Sequence, residues 1–177
     1  MKRNLPYYLA GYDYDDRPVW VLEFGKYDIR GHVTGDEDRA KAFDKYADQV
    51  IWNILQSADN VTDPENPTDV ILILDMDGYS LEQLGSTHAV AFVLKFLKLV
   101  LGVFSYVDSV YVINANFVAN NLIQLVKPLF GPEFNKVEVF GTNADKWLPV
   151  LLKKIPSSQL PSWYGGSKDF KPVRVFG

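Results

Sequence analysis

Cysteine is missing from the 177-residue chain. Without it there can be no disulfide, no thiolate nucleophile and no zinc–thiolate site, a pattern compatible with a reducing, cytoplasmic setting. Histidine is almost as scarce. His32 and His88 are the two present, and neither has a second histidine at metal-ligand spacing. His32 falls in a polar stretch and reads as a surface residue. His88, near the start of an apolar segment, reads as a core or pocket histidine. A basic cluster is lacking as well: the formal charge is -4, with Lys and Arg scattered. Nucleic acid, which demands a basic stripe, is therefore not an expected partner. The same balance favours brief over standing contact with an anionic membrane. Met1–Pro6 has two basic residues with no apolar segment behind them, so no secretory signal is expected. The most apolar stretch, Ala89–Phe104, is interrupted by Lys95 and Lys98. It falls short of the roughly 20 apolar residues a membrane span needs and is expected to be a buried helix. Nucleophile-elbow, P-loop and dinucleotide-fingerprint motifs are all missing.

What is present is a well-mixed globular composition, 47% hydrophobic and 23% charged. It is enough for a real core with room for a cavity beside it. Tyr12–Pro18 reads as a turn into a strand, Val19–Phe24. Thr34–Glu37 is a helix start, followed by Ala40, Phe43, Ala47, Val50, Ile51 and Ile54 at helical spacing. A proline-bearing loop is expected over Asn60–Thr68. Val70–Leu74 is an uninterrupted aliphatic run, suited to a central strand covered on both faces. A helical stretch over Leu81–Val103 then leads to a strand at Val110–Ile113. A helix over Phe117–Phe130, a strand at Lys136–Phe140 and a last helix over Ala144–Lys154 follow. Strands alternating with helices predict an α/β fold with a mixed, largely parallel sheet, and no composition shift divides the chain.

The one tempting catalytic motif is Asp75-Met76-Asp77-Gly78 after the aliphatic strand. Two carboxylates at a strand's C-terminal end could hold magnesium and attack a phosphate ester, so a magnesium-dependent phosphatase built on Asp75 and Asp77 is an alternative reading. Such a site also needs a Ser or Thr after the next strand and a further acidic pair. The chain offers Asn114-Ala115-Asn116, while Asp108 and Asp145 stand alone. Asp75 and Asp77 read better as turn residues closing a strand. The expectation is a protein that is not an enzyme and uses no metal or cofactor. A ligand-free interaction module is the other alternative.

A set of motifs in fixed order resembles the CRAL-TRIO lipid-binding domain family. Asp75-x-Asp77-Gly78-Tyr79 is similar to its Asp-Gly-aromatic turn, and Val110–Ala115 to its strand ending in Ile-Asn-Ala. Leu122–Phe130, with Lys127-Pro128, is similar to its gate helix. Leu151–Pro156 with Leu160-Pro161-Ser162-Trp163-Tyr164-Gly165-Gly166 is similar to its closing motif. Upstream, Tyr8–Trp20 resembles the opening of supernatant protein factor-like members. The likeness runs over about residues 5 to 168.

The resemblance implies a single lipid-binding domain over 1–177, without the helical domain that usually precedes it, and a hydrophobic ligand held between the sheet and a gate helix, Phe117–Phe130. Tocopherol, retinoid, carotenoid, squalene-like lipids and phospholipids are the implied ligand classes, exchanged at a transient membrane surface. Carried over by position, the ligand would meet Trp52 and Gln56 on one side, Leu72 and Val112 on the floor, Tyr79 and Leu81 after the turn, Leu99 and Val103 on the following helix, and Phe117, Leu122 and Val126 on the gate. A slip of one residue in strand parity would exchange the floor residues for their neighbours. Lys136 falls where phosphoinositide-binding members place a basic residue. The segment Phe104–Asp108 lacks the acid–base pair of those members, which favours a less polar ligand.

Overall fold

A computed structural model describes residues 5–58 and 69–176. The loop expected over Asn60–Thr68 lies outside them. Six strands form one sheet: β1 (Tyr7–Tyr12), β2 (Pro18–Leu22), β3 (Val70–Asp75), β4 (Val107–Ile113), β5 (Val137–Val139) and β6 (Arg174–Phe176), in the order β5-β4-β3-β2-β1-β6. The β2–β3, β3–β4 and β4–β5 pairings are parallel, and β1 runs antiparallel to both neighbours. Among the described residues five α-helices accompany it: α1 (Ile29–Val33), α2 (Glu37–Ala58), α3 (Thr87–Val103), α4 (Phe117–Phe130) and α5 (Ala144–Lys154). The sheet is mixed and largely parallel, as expected for this α/β pattern.

Alternation along the strands divides the molecule into two layers. Val19, Val21, Ile71, Ile73, Tyr111 and Ile113 face α5 and the closing segment, where Trp147, Leu151, Leu160 and Tyr164 complete a close-packed cluster. Trp20, Leu22, Leu72, Leu74, Val110 and Val112 face the other way, towards α2, α3 and α4. Here α2 comes close to β2 and β3, whereas α3 has its nearest neighbours in α1, α2 and the flanking turns. The consequence is visible on β3. Ile71 and Ile73 are fully buried, yet Leu72 and Leu74, on the same central strand, are only partly so.

Several local expectations change. The helical stretch over Leu81–Val103 is broken: a 3-10 turn at Leu81–Leu84 ends at Gly85, and Ser86 caps α3 by accepting from the Ala89 amide at 3.1 Å. The helix is not simply buried. Thr87–Tyr106 is long and apolar enough to cross a membrane by length and composition, and 17% of its most apolar window is buried. His32 is not a surface residue. It lies in α1, 2% exposed, with its ring 4.9 Å from that of Phe43, because α1 packs against both α2 and α3. His88 is exposed on the first turn of α3, where the capping geometry turns Ala89 inward. β1, β6 and α1 are additions to the sequence reading. β6 is anchored by Phe176, which stacks on Tyr7 at 5.0 Å.

Candidate functional site: an apolar hollow beneath α3 and α4

Between the sheet and helices α2, α3 and α4 lies a cavity of about 180 Å³. Its floor is Leu22, Leu72, Leu74, Val110, Val112 and Val137 from four strands. Its walls are Val50, Ile51, Ile54 and Leu55 on α2, Phe92, Phe96, Val100 and Val103 on α3, and Leu122, Ile123, Val126 and Phe130 on α4. Phe24, Met76, Phe104 and Phe134 add to the lining. Tyr106 is the one lining residue with a polar side-chain group. A space so lined offers water no partners and stays dry; an engineered void of about 150 Å³ with similar walls takes up benzene. A hollow of this kind has the lining that an oily guest would need.

Five of the residues carried over from the family pattern line this hollow together: Leu72, Val103, Val112, Leu122 and Val126. The other seven do not line it. Trp52, 61% exposed, and Gln56 point outward because Val50 and Ile54 fix the inward face of α2, and a two-residue step turns a side chain about 200° around a helix. Leu81 stands 71% exposed on the 3-10 turn. Leu99 is rotated out beside the inward Val100, and Phe117, 80% exposed, opens α4 ahead of the inward Ala119 and Ile123. Lys136 is occupied elsewhere: its ammonium donates to the Phe104 carbonyl at 3.3 Å, pairs with Glu133 at 3.0 Å and lies 5.8 Å from the Phe104 ring centre.

Tyr79 is buried behind the wall, its ring stacked 6.0 Å from that of Phe24. Burial pushes its phenol up to about 12. Its hydroxyl finds no hydrogen-bond partner among the described residues. The other three such buried polar atoms belong to Tyr8 and Trp147 on the far face of the sheet and His32 beside Phe43. The residues missing from the sequence reading include the aromatic ones, Phe92, Phe96, Phe104, Phe130 and Phe134, together with aliphatic ones on every wall. The i, i+4, i+8 spacing of Phe92, Phe96 and Val100 was the available signal for the α3 wall.

The Asp75-x-Asp77 motif is structural in its surroundings. Asp75 is 7% exposed. One carboxylate oxygen accepts from the Tyr164 hydroxyl at 2.6 Å; the other accepts from the Asn114 side-chain amide at 2.9 Å and the Asp77 amide at 3.0 Å. Burial and the Asp75 charge together push the Tyr164 phenol far up, so it stays a donor. Gly78 at φ 80° closes the turn, and Gly25 passes so near that a Cβ there would lie 1.9 Å from the Asp77 carbonyl oxygen. Among the described residues no group of three His, Asp or Glu side chains is placed to hold a metal ion.

The family model for the CRAL/TRIO domain matches residues 2–166. The chain belongs to the CRAL/TRIO family. A CRAL/TRIO domain implies binding or transfer of a lipophilic ligand. Among solved structures the chain is similar to Sfh5, at 15% sequence identity and a TM-score of 0.52. That match covers 82% of this chain and 50% of Sfh5, so the chain spans about half the length of that relative. At this identity the likeness concerns the CRAL/TRIO fold alone.

Proposed function

We propose that the protein is a carrier that encloses one strongly apolar lipid, of the isoprenoid, polyene or squalene-like kind, and exchanges it at a membrane. The observation that carries this reading is the hollow itself, lined by apolar side chains with Tyr106 the one residue bearing a polar group. A phosphorylated headgroup finds little to meet there, since Lys136 is already engaged by Glu133 and the Phe104 carbonyl. Tyr106, the one lining residue with a polar side-chain group, is the side chain available to a guest with one small polar end. Leu72, Val103, Val112, Leu122 and Val126 are the proposed contacts.

Exchange follows from energetics. Burying a methylene contributes about 0.8 kcal/mol, so an 18-carbon chain contributes on the order of 14 kcal/mol gross. Escape into water is correspondingly slow, and an opening towards another apolar phase is the faster route. In this reading α4, exposed at Phe117, Leu125 and Leu129, moves to admit or release the guest.

Mass spectrometry of an organic extract of the purified protein tests the reading, with Leu122→Asp and Val126→Asp as controls. A near-stoichiometric apolar compound in the native chain, depleted in both variants, is expected. An extract without such a compound, or equal loading in the variants, overturns it.

A further inference from the structure

The back of α3 is an unpartnered apolar stripe. Its front supplies Phe92, Phe96, Val100 and Val103 to the hollow. On the opposite side Val90 and Leu94 are 43% and 46% exposed, in line with Ala91, Lys98 and Gly102 at three- and four-residue spacing, all exposed. A Cβ built on Gly102 would meet nothing within 4 Å. Towards the helix N-terminus the stripe continues into an open apolar depression beside Leu84. A helix this apolar on its outer side calls for a cover.

Charge points to what covers it. The chain as a whole is -4, yet α3 and α4 contain Lys95, Lys98 and Lys127 and not one Asp or Glu. Lys95 is tied to Asp44 of α2 at 2.9 Å, while Lys98 has no ion pair among the described residues. Helices whose own charges are all lysines, with Lys98 left unpaired beside Leu94 and Asp44 already taken up by Lys95, on a protein that is acidic overall, match the interface of an anionic bilayer. A second copy of this chain would bring the same lysines face to face.

We propose that the outer stripe of α3, centred on Leu94 and Lys98, is the surface by which the protein lies on an anionic membrane. In that orientation α3 is the partition between bilayer and hollow, with acyl chains on one side and the guest on the other. The inference rests on the carrier reading for its purpose, since a partition serves exchange only where a guest is enclosed. It assigns docking to α3, distinct from the opening assigned to α4.

Sedimentation of the full chain with vesicles tests it. Vesicles of equimolar phosphatidylcholine and phosphatidylserine are expected to bind the protein, more weakly as salt rises, and phosphatidylcholine vesicles to bind far less. Lys98→Ala is expected to lower the partition about fivefold, and Leu94→Glu about tenfold or more. Gly102→Glu enters open space on a helix and keeps the fold, so it serves should Leu94→Glu misfold; about a fivefold loss is expected. Equal binding by the folded variants, equal binding to both vesicle types, no binding, or a dimer abolished by Leu94→Glu overturns the inference. The guest carried by each folded variant is measured in the same samples. An empty native protein that still binds vesicles through α3 defeats the carrier reading alone, whereas a loaded protein indifferent to Leu94 defeats docking alone.

Discussion

The Tyr164 hydroxyl donates to the buried carboxylate of Asp75 at 2.6 Å, joining the closing segment of the chain to the C-terminal end of β3 across 89 residues. Asp75 keeps Asn114 and the Asp77 amide on its other oxygen. Tyr164→Phe therefore removes one hydrogen bond to a buried anion and leaves the rest of the turn in place. A loss of about 2 kcal/mol is expected in urea unfolding. A change within about 0.5 kcal/mol would mean that Asp75 is satisfied without Tyr164.

Leu72 probes the hollow from its floor. In a filled core, Leu72→Phe would overpack the centre of the sheet and cost about 1–3 kcal/mol. Projecting into the void, the larger ring is expected to leave guest-free stability unchanged or raise it by about 1 kcal/mol, while the amount of lipid carried falls. Thermal unfolding of delipidated protein, together with extraction of the loaded form, reads both effects.

Tyr79 carries a hydroxyl with nothing to bond among the described residues. Tyr79→Phe is expected to stabilise the guest-free protein by about 1 kcal/mol, because an apolar ring no longer confines an unsatisfied polar atom. Guest loading is expected to be unchanged, because Tyr79 lies behind the cavity wall and not on it. Melting curves of the delipidated protein and extraction of the loaded form check the two expectations.

His32 makes stability depend on pH. Burial, and next the charge of Arg39, lower its pKa from the ordinary 6.5, with the Arg39 guanidinium donating to Nδ1 at 3.2 Å. The folded state thus holds a neutral ring, while the unfolded chain takes up a proton as pH falls through about 6.5. Stability is expected to be full above that value and to decline below it, until the depressed folded-state pKa is reached. His32→Gln should flatten this part of the curve in a series of thermal melts from neutral to mildly acidic pH; an unchanged slope would assign the effect to another group.

Much of the fold was legible because its signals are local. The aliphatic run at Val70–Leu74, the helices Phe117–Phe130 and Ala144–Lys154 and the order of the family-like motifs correspond closely to β3, α4 and α5. The floor parity at Leu72 and Val112 coincides with the cavity face. The edge strands were harder to see. β1 is apolar almost throughout with no alternation, and three-residue β6 exists through its pairing with β1 and the stacking of Phe176 on Tyr7. The helix walls were harder to read for a related reason. Positions transferred from a pattern fix residues along the chain but not the rotation of a helix, and a step of one or two residues turned Trp52, Gln56 and Leu99 outward. His32 misled because its neighbours in sequence are polar while its neighbours in space, such as Phe43, are not.

The alternation along β3 leaves the two sides of one strand under different rules. Ile71 and Ile73 are clenched by α5 and the closing segment, so their size is fixed by the scaffold. Leu72 and Leu74, one residue away, border free volume and answer to the shape of whatever is carried. Exchanging bulk between Leu72, Val110 and Val112 can re-tailor the berth for a different cargo without disturbing the framework behind it, which makes this strand the natural place to begin altering selectivity.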